Sequence, residues 1–146
     1  MSRKTKIYVI ISIIFAMFLI GCTTKVPKEF NLSQLTRVDV EVVMADESYE
    51  EAVMITDEKT ISMLRKTFKQ INWEPNAEPK MARKEDVKAT LFFKYDVNMP
   101  ERLVEYQIWF NKSDNTATII STNENENFGT LEKDYAKTLE RNILNK

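Results

Sequence analysis

Between Val87 and Ser121 three segments of alternating side chains are separated by two turn clusters, and that pattern commits the chain to a fold built on an antiparallel sheet. Ala89, Leu91, Phe93 and Tyr95 share one face of a first segment, with Thr90, Phe92 and Lys94 opposite. After the turn residues 96–101, Val104, Tyr106, Ile108 and Phe110 alternate with Glu105, Gln107 and Trp109. Asn111-Lys112-Ser113-Asp114-Asn115 is a second turn cluster, and Thr116 to Ser121 completes a β-meander. A period of two places successive side chains on opposite faces, so one face of each segment is apolar and seeks a core.

The flanking segments supply what covers that face. Val38, Val40, Val42 and Met44 alternate with Asp39, Glu41 and Val43, and Glu51 to Ile55 reads as a returning strand after the turn 45–48. Asp57 is placed to cap a helix over 58–71, with Ile61, Leu64, Phe68 and Ile71 as its apolar stripe. A final helix spans about 133–144 and buries Tyr135, Ala136, Leu139 and Ile143. Phe128-Gly129-Thr130-Leu131 offers a short edge strand. The segment 72–86 has no periodicity and contains Pro75 and Pro79, so it reads as a long loop. The expected fold is α+β: an antiparallel sheet of about five strands packed with two helices, in the order ββ-α-βββ-α.

Ahead of this domain, Arg3, Lys4 and Lys6 precede a 14-residue apolar run, Ile7 to Ile20, that ends in Gly21 and Cys22. As a helix the run is about 21 Å long, well short of a hydrocarbon core of ~30 Å. It suits the apolar region of a secretory signal with a small residue at the cut. The segment Leu19-Ile20-Gly21-Cys22 resembles a bacterial lipoprotein signal with its lipobox. That resemblance implies cleavage between Gly21 and Cys22 and a diacylglycerol on the Cys22 thiol. An uncleaved N-terminal anchor is the alternative. The expected organisation is a cleaved signal over 1–21, a tether over 22–34 and a single domain over 35–146. The expected location is the extracytoplasmic face of the cell membrane.

Chemistry is constrained mostly by what is missing. The chain has no histidine, one cysteine and two glycines, Gly21 and Gly129. Nucleophile–histidine dyads, His/Cys zinc sites and glycine-rich phosphate loops are therefore excluded, and no metal or cofactor is expected beyond the covalent lipid. Without its first 21 residues the chain keeps 125, with 18 basic and 22 acidic side chains and a net charge of −4. That balance gives no footprint for nucleic acid. Any enzyme here would rely on carboxylates or lysine. The candidates are the acids Asp46, Glu47, Glu50 and Glu51, and the alternation of Glu124 and Glu126 with Asn123, Asn125 and Asn127.

Aromatic placement points instead to binding. Phe92 and Trp109 fall on the sheet face opposite the main apolar stripe, and Trp73 lies in the long loop with Arg83 and Lys84 further along it. Together these five residues are the candidate interaction surface for an envelope protein or wall polymer; burial of the aromatics under the loop or a helix is the alternative. Ile71-Asn72-Trp73-Glu74-Pro75, Met81 to Leu91, Met99-Pro100-Glu101-Arg102 and Tyr106 to Phe110 resemble small lipoproteins of Bacillus-type bacteria, of the YhfM-like kind. That resemblance implies location and brings no catalytic motif. The expected function is a non-enzymatic binding domain at the envelope. A small-molecule or cation binder serving a transporter or sensor is the alternative, and a carboxylate-only hydrolase comes third.

Overall fold

The computed structural model describes residues 30–144, so the expected signal, Cys22 and most of the tether lie outside the described residues. A 3-10 turn, Leu32–Gln34, opens the described chain and leads into β1 (Leu35–Val42). There follow β2 (Val53–Ile55), α1 (Glu58–Phe68), β3 (Asn72–Glu74), β4 (Val87–Phe93), β5 (Arg102–Asn111), β6 (Thr116–Ser121), β7 (Phe128–Leu131) and α2 (Lys133–Leu144). Among the described residues the strands form one antiparallel sheet of seven, in the spatial order β2-β1-β4-β5-β6-β7-β3.

Both helices pack on one face of this sheet. Val38 and Val40 of β1, Leu91 and Phe93 of β4, and Tyr106 and Ile108 of β5 meet Ile61, Leu64 and Phe68 of α1 and Leu139 of α2 in a single core. Asp57 caps α1 by accepting from the Thr60 amide at 2.8 Å. The helix stops at Phe68 rather than at 71, because the Gln70 and Ile71 amides turn back to the carbonyls of Thr67 and Phe68. Ile71 stays buried beyond the helix end, which is why its apolar spacing matches the stripe.

The expected sheet of about five strands is corrected to seven, and the chain order to ββ-α-βββββ-α. The additions are β3, whose three residues are too short for alternation to register, and β7, the short edge strand offered by 128–131 and not counted among the five. They pair with each other at the sheet margin, Trp73 opposite Gly129. Gly129 is required there by close approach. A Cβ at that position would lie 2.5 Å from the Ile71 Cγ2 and 2.6 Å from the Trp73 ring. Gly129→Ala is expected to cost about 1–3 kcal/mol, the usual penalty of overpacking, read as a fall in the thermal midpoint.

Candidate functional site

The pairing of β5 with β6 sets Tyr106 directly opposite Ser121 on the inner face of the sheet. Tyr106 is 2% exposed, with its ring edge-on to Phe68 (centroids 5.3 Å apart) and against Trp73 (5.5 Å). The connection between β6 and β7 then folds back over this pair. Its path is fixed by its own backbone: the Glu126 and Asn127 amides donate to the Asn123 carbonyl, and the Ser121 amide donates to that of Asn127. Asn127 takes a left-handed conformation (φ 54°), which asparagine tolerates. Its side-chain amide donates to the carbonyls of Pro75 (3.1 Å) and Ala77 (2.6 Å), tying the connection to the segment after β3.

This folding brings the Glu126 carboxylate onto Ser121, Tyr106 and Asn123. The Ser121 hydroxyl donates to Glu126 Oε2 at 2.7 Å, and the side chains of Tyr106 and Asn123 also bond the carboxylate. Burial raises the proton affinity of Glu126 above its ordinary range, and the three hydrogen bonds only partly offset it. Burial likewise pushes the Tyr106 hydroxyl well above its ordinary value, with the Glu126 charge adding to the shift, so Tyr106 remains a donor. The site is thus a half-buried acid of raised pKa, oriented by two hydroxyls and an amide. Such a group is suited to accepting and returning a proton.

The sequence offers Glu126 as one acid of a polar repeat. Tyr106 and Ser121 are not among the residues expected at a site, although both leave a signal: a polar tip and a hydroxyl at inward positions of alternating strands.

The five residues of the expected interaction surface are not gathered into one patch. Trp109 is 4% exposed, covered by the segment before β4, and its Nε1 donates to the Arg83 carbonyl at 3.0 Å. Arg83 turns to Asp86 at 2.6 and 2.9 Å. Burial pushes the Asp86 carboxyl up, but Arg83 and the Phe110 amide outweigh it and leave the pKa lowered. Lys84 bonds the Glu47 carbonyl and sits 4.1 Å above the Tyr49 ring. Phe92 is half-buried beneath the Arg37 guanidinium, 3.5 Å from its centroid, while Trp73 packs on Tyr106 at the inner face. Of the first acid cluster, Asp46 closes its own turn with Ser48 and is fully exposed. Among the described residues no group of acids or thiols gathers to hold a metal ion.

No protein-family model matches the chain, and no curated protein matches its sequence. In solved structures the chain is similar to a thioesterase-like protein from Clostridium sporogenes, with a TM-score of 0.55 and 19% identity, over 80% of this chain and 100% of that one. At that identity the likeness is one of fold, and the seven-stranded sheet with its helices on one face is the thioesterase-like, or hotdog, arrangement. It replaces the smaller sheet expected from the sequence. It also withdraws the expectations of a non-enzymatic binding domain and of a ligand-binding accessory protein, because this frame is one that a thioesterase-like protein uses.

Proposed function

We propose that the domain is a carboxylate-dependent hydrolase of acyl esters, thioesters foremost, with Glu126 as its general base. The observation that carries the reading is the Glu126 carboxyl, raised in proton affinity by burial and aimed by Ser121, Tyr106 and Asn123. In the proposed step the carboxylate takes a proton from water, and the water oxygen bonds to the acyl carbon. The tetrahedral adduct collapses, the C–S bond breaks, and the leaving thiolate takes the proton that Glu126 holds. A thiol leaves with a pKa of about 8.5 and needs little acid assistance, which suits a chain without histidine. The fold likeness to a thioesterase-like protein supports the same class.

The test is release of free thiol when the full chain is incubated with acyl thioesters of graded length. Release above the uncatalysed rate for at least one length is expected; background rates across the series would overturn the reading.

The domain works, on this proposal, at the extracytoplasmic face of the cell membrane, held by a diacylglycerol on Cys22. The basic start, the short apolar run and the Gly21-Cys22 junction support it. One acyl chain holds a protein only marginally and two hold it stably. Cys22→Ser is expected to abolish acylation and to release or mislocalise the protein, read by fractionation and intact mass. Full membrane retention of an unprocessed precursor would favour the uncleaved anchor.

A further inference from the structure

An open groove of about 780 Å³ lies between the 3-10 turn and α1. One wall is the segment 30–33, in which Phe30 and Leu32 pack against the core, Phe30 with its ring 4.9 Å from that of Phe93, and the polar Asn31 and Ser33 alternate with them. The other wall is Ser62, Arg65, Lys66 and Lys69 of α1 and the residue after it. Arg65 is already committed, giving Nε and Nη2 to the Leu35 carbonyl at 3.1 and 2.6 Å and Nη1 to Glu58 at 2.7 Å. Lys66 and Lys69 are exposed, and Lys59 continues their stripe toward the start of the helix. Among the described residues no acidic side chain lines the groove. A wall carrying two apolar side chains beside a cationic rim is complementary to an anionic amphiphile.

The position of the groove selects the source of that amphiphile. Phe30 lies eight residues beyond Cys22, and eight residues reach at most about 29 Å. A chain held at Cys22 therefore keeps the groove within reach of the bilayer surface. The intervening segment 23–29 is a poorer occupant, since its two lysines, Lys25 and Lys28, outnumber its one acid, Glu29, and share the sign of Lys66 and Lys69. The net charge of the domain does not cancel the local attraction, because acids more than ~8 Å away are screened at physiological salt. We infer that this groove docks the headgroup of an anionic phospholipid and so orients the domain on the membrane. The inference rests on the membrane-held reading above and deepens it.

The test places the full chain in nanodiscs of phosphatidylcholine alone or with phosphatidylglycerol, each carrying a trace of headgroup spin-labelled lipid. Paramagnetic relaxation at the Lys66 and Lys69 amides is expected to be at least about fivefold stronger with the anionic lipid, the weight of one cation near such a surface. It should fall to the neutral value in the double variant Lys66→Gln, Lys69→Gln. Equal relaxation in both bilayers, or an anionic enhancement that the double variant keeps, would overturn the inference. Retention on the neutral nanodisc is a separate readout: its loss counts against the Cys22 anchor, while the anionic comparison still decides the groove.

Discussion

Replacing Glu126 with glutamine is expected to lower kcat/KM for thioester hydrolysis by about 10²- to 10⁴-fold, the usual range for removing a general base. The substitution keeps the shape of the side chain, and the Ser121 and Tyr106 hydroxyls can still donate to the remaining carbonyl oxygen. What it removes is the ability to accept a proton. In the parent protein the rate should fall as pH drops through the raised pKa of Glu126, because the base becomes protonated. The stability sign runs the other way. A carboxyl whose folded pKa lies above its unfolded value favours folding most fully below the unfolded pKa, and that contribution is lost as pH rises through the folded pKa. Glu126→Gln should therefore leave the neutral-pH thermal midpoint within a few degrees of the parent while activity collapses. Parallel melting and rate measurements separate the two. Loss of both together would make Glu126 a structural clasp.

Trp109→Ala is expected to cost about 3–5 kcal/mol, the range for deleting a buried large aromatic, and to lower the thermal midpoint by roughly 10–25 °C. The ring is 4% exposed on the outer face of β5, and its N–H satisfies the Arg83 carbonyl. Trp109→Phe should lose much less, since it keeps most of the buried volume and forfeits one hydrogen bond of about 1 kcal/mol. An exposed contact residue would behave differently, with alanine changing stability by no more than ~0.5 kcal/mol. Calorimetry of the two variants distinguishes these cases.

Trp109 shows where the sequence was legible and where it stopped. Alternation over 102–110 placed its side chain on the correct face of β5, opposite Tyr106 and Ile108. The path of the segment before β4 is set by single contacts, Arg83 with Asp86 and Lys84 with Glu47, and no periodicity encodes these. The same limit hid β3, three residues between a helix end and Pro75 that become a strand only because Gly129 lets Trp73 close on β7. The candidate site was half visible. An acid in the Asn-Glu repeat could be seen, but Tyr106 lies 20 residues away in sequence and meets Glu126 only through the β5–β6 register. Ser121, a hydroxyl in the inward series after Ala117 and Ile119, was the local clue that the polar repeat closes over the core.

A general base at Glu126 requires burial to prevail over its three hydrogen bonds, and ¹³C NMR of its carboxyl carbon across a pH titration of the full chain measures that balance directly. The expected midpoint lies above 4.5, the ordinary glutamate value, with Tyr106 ring signals shifting at the same pH. A midpoint at or below 4.5 would show Ser121, Tyr106 and Asn123 stabilising a permanent carboxylate with little tendency to accept a proton, and would rule Glu126 out as the general base.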